Sequence, residues 1–328
     1  MKLKTFALAL SAAATVILGG MPGALAADKA LTITEPSHSI DSMPFYVAQS
    51  EGFFKKRGLD ITLYTEEGGS QAVAAVLSGS AAAFIGGPEH NAFALLKGGK
   101  QIKAVLSLSN RANAYIVARA DLNITKGMPL KEIFKGRTIA VGAQGGTQNS
   151  LLRAMIAREG LDPAKDVTLL EVNTNASTLA AMKAKRADLA VTLEPLLTQG
   201  VKEGIWSDAF VSFPAYFGAF EYTTLNVPET LIKSDPQTVK AMADALKEAL
   251  TFSFANPDKI EELARKEFPT MPVGDLDAML KRTLEDNLWQ PDGKTEESGW
   301  KQVEGIVHDA GLLSRDVTYA EIFDPEFQ

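Results

Sequence analysis

Between residues 31 and 107 the chain alternates short apolar runs with helical segments, and glycines stand at most of the joints. Residues 31–35, 61–64, 82–85 and 102–107 read as strands, by β-branched content and by length. Helices are expected from Pro44, from Gln71 to Leu77 with a stop near Gly79, and from Glu89 to Lys97 before Gly98-Gly99. Three strand–helix units in series require a parallel sheet with helices on its faces.

The segment from Pro44 to Ile61 shows how closely the elements are spelled out. Asp41 or Ser42 can cap a helix whose first turn holds Pro44. Phe45, Ala48, Gly52 and Phe53 recur at helical spacing. Lys55, Lys56 and Arg57 sit where the helix dipole favours cations, and Gly58 is placed to end the helix.

After an extended run at 115–118 the pattern restarts, with strands expected at 137–141, 167–172 and 189–192. Helices are expected at 147–159, 177–185 and 195–201, and extended runs at 209–213 and 222–225. Strong helical periodicity fills 234–255, 257–268, 276–288 and 300–310. The chain thus reads as an α/β protein of two α/β lobes. One lobe takes 27–118 plus 219–328. The other, 119–218, is inserted into it. Two inter-lobe crossings leave a central ligand cleft, and the C-terminal helices are expected on the first lobe.

Residues 1–26 read as a signal peptide. Lys2 and Lys4 precede an apolar stretch from Phe6 to Leu18, and Ala24-Leu25-Ala26 is a cleavage signal. An uncleaved anchor is the alternative, but the run is short of the roughly 20 residues a spanning helix needs. Removal leaves 302 of the 328 residues, about two domains' worth. It also takes the net charge from −7 to −9, since two lysines and no acids are lost. So acidic a protein is a poor partner for nucleic acid. With no cysteine, disulfides, a lipid anchor and thiol chemistry are excluded.

Several stretches, in this order, resemble the periplasmic solute-binding proteins for nitrate, sulfonates, taurine and thiamine pyrimidine precursors. They are Pro44 to Ile61, Gly68-Gly69-Ser70-Gln71 with Leu77-Ser78-Gly79, and residues 82–88. Further on come residues 135–141 with Gly145-Gly146-Thr147, then residues 187–191 with Glu194-Pro195. Asn256-Pro257-Asp258 and Gly311-Leu312-Leu313 follow near the C-terminus. The resemblance implies a type II periplasmic binding protein that delivers a ligand to an ABC permease in the inner membrane. It implies a pocket lined by 37–43, Ser70, 87–91 and 109–113 on one lobe, and by 144–147, 173–175 and Glu194 on the other.

Ser70 and Thr147 are the leading candidates for ligand contact. Each is a hydroxyl opening a helix after two glycines, Gly69 and Gly146 being the nearer ones, where free N–H groups favour an anion. Either could instead be a plain helix cap. Arg111 follows the fourth strand, and Arg grips carboxylates and sulfonates with two hydrogen bonds; a salt bridge is the alternative. His38, His90, Glu89 and Asp41 could in principle hold a metal, but no metal-ligand spacing is present, so polar pocket wall is the reading. Asn113, Asn173 and Glu194 complete the candidate set. Glu89, Glu194 and Glu221 could recognise an amino or amidine group, and Glu194 could equally cap the helix after Pro195. The aromatics from Tyr216 to Tyr222 could stack on a planar ligand or belong to the core.

No G-x-S-x-G, no Walker lysine loop and no cofactor fingerprint occurs, so no catalytic residue and no cofactor is assigned. The expected function is a monomeric, periplasmic binding component of an importer, not an enzyme. Its expected ligand is a small organic anion, with a thiamine pyrimidine precursor as the alternative. A pyrimidine-synthase-like enzyme would need a cysteine-rich motif that this chain lacks. A sensor input is the remaining rival.

Overall fold

The computed structural model describes residues 27–66 and 68–328. The segment 1–26, read above as a signal peptide, lies outside the described residues. The first lobe is built from β1 (Lys29–Glu35), α1 (Met43–Ser50), β2 (Leu59–Thr65), α2 (Gly69–Ser78), β3 (Ala83–Gly86), α3 (Glu89–Leu96) and β4 (Ile102–Ser109). The chain crosses to β5 (Tyr115–Ala118), α4 (Leu130–Phe134), β6 (Thr138–Gly142), α5 (Thr147–Arg158) and β7 (Thr168–Val172). There follow α6 (Asn175–Lys183), β8 (Leu189–Thr192), α7 (Leu196–Lys202), β9 (Val211–Ser212) and α8 (Phe213–Phe217). It then returns through β10 (Thr223–Pro228) and ends in α9 (Glu229–Ser234), α10 (Pro236–Ala255), α11 (Pro257–Glu267), α12 (Val273–Glu285), α13 (Glu297–Asp309) and α14 (Tyr319–Ile322).

Two five-stranded sheets result, ordered β2-β1-β3-β10-β4 and β7-β6-β8-β5-β9. In each, four strands run in one direction and one crossing strand runs against them, pairing antiparallel on both sides: β10 with β3 and β4, β5 with β8 and β9. This is the two-lobed α/β arrangement expected from the sequence. The central strands β3 and β8 are buried at every residue, as strands covered on both faces must be.

Three expectations are corrected. Tyr115–Ala118 belongs to the second sheet, not the first lobe, because it pairs with β8 along its whole length. The outward crossing therefore lies between Ser109 and Tyr115. The single helix expected from Pro44 to Gly58 stops at Ser50, and a short 3-10 turn spans Lys55–Arg57. Gly58 still ends the segment, at φ 69°, where a side chain would be strained. The C-terminal helices do not all stay on the first lobe: α13 packs against α5, and α12 against α7.

The contact of α13 with α5 joins the cores. One apolar cluster includes Ala104 of β4, Ile139 of β6, Leu152 of α5 and Trp300 of α13. It spans both sheets. A second cluster, with Phe45, Leu106 and Leu246, belongs to the first lobe alone.

Candidate functional site

A cavity of about 610 Å³ lies between the lobes. Its walls come from the loops at the carboxyl ends of the parallel strands, where open α/β sheets present helix N-termini to ligands. After β1 these are Ser37, His38 and Asp41; after β2, Glu66, Gly69 and Ser70; after β3, Gly87 and His90. The second lobe contributes Gln144, Gly146, Thr147 and Gln148 after β6, and Asn173 and Thr174 after β7. Tyr222 and Thr223, at the return crossing, close one side.

Asp41 is a built acceptor. Ser39 Oγ and Asn113 Nδ2 both donate to its Oδ1, the latter at 3.2 Å, and Thr223 Oγ1 donates to Oδ2 at 3.1 Å. It does not cap α1; the residue before that helix is Ser42, which makes no side-chain cap bond. Behind it, Glu35 is 0% exposed and accepts from Tyr46 Oη at 2.7 Å and Thr65 Oγ1 at 2.8 Å. His38 Nδ1 lies 3.3 Å from the same carboxylate. That hydrogen bond raises the imidazole's pKa against the opposing effect of burial. The ring stacks on Tyr46 at 4.7 Å.

His90 is 4% exposed and lies against the backbone of Gly69. A Cβ at Gly69 would stand 2.1 Å from His90 Nε2, so this glycine makes room for the imidazole. Glu89 follows the same logic at Gly87, where a Cβ would reach 2.2 Å from its carboxylate. Glu89 in turn accepts from Thr147 Oγ1, which ties α3 of the first lobe to α5 of the second. Burial pushes the Tyr222 phenol well above its ordinary pKa, and the carboxylates of Asp41 and Glu89 add to that.

The cavity thus gathers Ser70, Thr147, Gly69, Gly146, His38, Asp41, His90 and Asn173. Four candidates fall elsewhere. Arg111 does not line it and makes no side-chain hydrogen bond or ion pair among the described residues; it sits half-buried in the outward crossing. Asn113 stands behind Asp41 and orients it. Glu89 is the inter-lobe acceptor just described. Glu194, 0% exposed, accepts from Thr198 N and Oγ1 at the start of α7 and pairs with Arg282 of α12 at 3.0 Å. Neither Ser70 nor Thr147 is a cap, because Gly68 and Gly146 occupy the capping positions.

Thr65, Glu66, Gln148 and Thr223 escaped the sequence reading. Thr65 ends β2 and Glu66 follows it, just before Gly68-Gly69, and Gln148 follows Thr147, so a signal lay within three residues in each case. Thr223 carried none, being an ordinary β-former at the start of a strand.

Among the described lining residues there is no lysine or arginine; the ionisable side chains are Asp41, Glu66, His38, His90 and Tyr222. The arrangement is a polar, acceptor-rich chamber with two helix N-termini and an aromatic side. Residues 39–260 match the family model described as NMT1/THI5 like. The chain belongs to the NMT1/THI5-like family.

Relatives run nearly the full length. YtlA of Bacillus subtilis is 24% identical over 296 residues, 90% of this chain and 87% of that protein. The riboflavin-binding protein RibY of Chloroflexus aurantiacus is 26% identical over 304 residues, 88% of this chain and 83% of the relative. The alkanesulfonate-binding protein SsuA of Xanthomonas axonopodis pv. citri, solved with MOPS bound, superposes with a TM-score of 0.74 at 16% identity. That match covers 91% of this chain and 99% of the other, and it shows the periplasmic binding protein fold.

Proposed function

We propose that this chain is the substrate-binding component of an ABC importer, exported to the periplasm and docking as a monomer on an inner-membrane permease. Family membership and the two-lobed fold support that class. The ligand proposed is a planar nitrogen heterocycle bearing N–H donors, of the aminopyrimidine kind. The observation that carries this choice is the lining: two carboxylates, Asp41 and Glu66, and no lysine or arginine among the described residues. An organic anion there would face acceptors with no full positive charge except a protonated histidine. The helix N-termini alone would have to hold it. Arg111, on which an anion reading would rest, is away from the cavity.

Size agrees. A chamber of about 610 Å³ is within the range of organic-ligand sites and far larger than an inorganic oxyanion needs. Glu89 and Arg282 each make a hydrogen bond across the lobes, and a ligand that touches both walls gains its full contacts only in the closed state and so favours it.

The test is thermal shift and calorimetry of the mature protein against 4-amino-2-methylpyrimidine derivatives, riboflavin, alkanesulfonates and nitrate. A heterocycle should raise the melting temperature by mass action and be recovered unchanged by chromatography. Binding of a sulfonate alone would overturn the ligand reading. Conversion of the bound compound would overturn the binding-protein reading.

A further inference from the structure

A second cavity, about 650 Å³, opens beside the first. Its wall is mostly apolar, with Ser70, His90, Lys97, Gln144 and Ser314 as its polar members. Val73 and Leu77 of α2, Phe93 and Leu96 of α3 and Leu312 beyond α13 line it. The two cavities share three residues, Ser70, His90 and Gln144. They therefore adjoin at those residues, with α2 and α3 forming the long wall of the second.

His90 stands in the partition. Its Nδ1 lies 3.2 Å from the carbonyl of Gly87, which can only accept, so the proton belongs on Nδ1. Nε2 is then an acceptor, and it has no hydrogen-bond partner although the ring is 4% exposed. A buried polar atom without a partner is costly, and such atoms are rare unless a ligand or water completes them. The ring edge also packs on Phe93 at 5.8 Å, so one face of the partition is already apolar.

We infer that the site has two compartments and takes an amphiphilic ligand, its hydrogen-bonding head beside Asp41 and its apolar arm running past His90 between α2 and α3. This rests on the first cavity being the ligand site, as proposed above. An arm of this kind explains why half-buried Leu77, Phe93 and Leu312 line open space rather than closing on one another.

The experiment uses two homologous series against the mature protein in calorimetry: 4-amino-2-methylpyrimidines with 5-alkyl groups from methyl to hexyl, and linear alkanesulfonates from methane to octane. Affinity should rise about fourfold per added methylene, the transfer gain of one buried CH₂. In Leu77→Arg and Ala74→Phe, which charge or fill the second chamber, that slope should fall toward zero while circular dichroism shows the fold intact. A series that binds with no dependence on chain length overturns the inference, as does a slope that survives in both variants. A slope seen only with sulfonates keeps the two compartments and overturns the heterocycle head. Failure of every member of both series to bind overturns both.

Discussion

Ser39, Asn113 and Thr223 fix the oxygens of Asp41 before any ligand arrives. Asp41→Asn exchanges a charged acceptor for an amide. A hydrogen bond to a charged group is worth about 1.5–3 kcal/mol, so heterocycle affinity should drop about ten- to a hundredfold in calorimetry. Arg111→Ala is the opposite case: the side chain touches neither the cavity nor a charged partner among the described residues, so affinity should stay within about 0.5 kcal/mol. A large loss on Arg111→Ala would restore an anion as the ligand. The contrast shows what the sequence can say about a site. Ser70, Thr147, Gly69, Gly146 and Asn173 were readable because strand–loop–helix order alone brings carboxyl ends of strands to the cleft. Where Asn113, Glu89 and Glu194 point was not, because each side chain's direction depends on a tertiary partner: Asp41 for Asn113, Thr147 for Glu89, Arg282 for Glu194. No local rule names that partner.

Elements were easier to read than side chains. Strands β1 to β8 and the long helices lie within a few residues of their expected places, since period and glycine stops are local signals. Two misreadings have physical causes. Phe45, Ala48 and Phe53 share one buried face whether residues 43–58 form one helix or a helix, a turn and a 3-10 segment, so periodicity cannot separate the two. Periodicity likewise gives α13 an apolar face but not the lobe that covers it. At the start of α13, Glu221 accepts from the Glu296 N–H at 2.9 Å, and burial lifts its carboxyl to about 7. The folded protein then holds this proton more tightly than the unfolded chain does. Glu221 therefore favours folding most below its ordinary pKa of 4.5, and that contribution fades as pH rises toward 7, by up to about 3 kcal/mol. His38, also raised, acts in the same direction near neutrality. Asp235 and Glu321, held near 2 by Lys29 and Arg315, are ionised throughout this window and add little slope. Urea titrations at pH 5 and pH 7.5 should show the fall in the native protein and a flatter profile in Glu221→Gln; equal slopes would remove Glu221 from the account.

At the scale of the whole molecule the lobes are held by side chains as well as by the two crossings. Arg282 on α12 reaches Glu194 at 3.0 Å and Asp208 at 3.3 Å on the second lobe, and Tyr115 Oη donates to Asp286 at 2.7 Å. Arg282→Ala strands the buried Glu194 carboxylate with only Thr198 for support. Breaking a buried pair costs about 3–5 kcal/mol; because Arg282 is itself partly exposed, the lower end is expected in urea unfolding at pH 7.5. Glu194→Gln in the same background should recover part of the loss, since it removes the stranded charge.

The apolar cluster that joins Ala104, Ile139, Leu152 and Trp300 has a calorimetric consequence. Melting either sheet alone would expose the half of that cluster belonging to the other, so a half-melted molecule gains chain entropy but forfeits burial on both sides. Intermediates with one lobe intact are thereby disfavoured, and the protein should behave as one cooperative block. Differential scanning calorimetry of the mature chain is expected to give a single endotherm whose calorimetric and van't Hoff enthalpies agree, whereas Trp300→Ala, which loosens the shared cluster, should begin to split it into two.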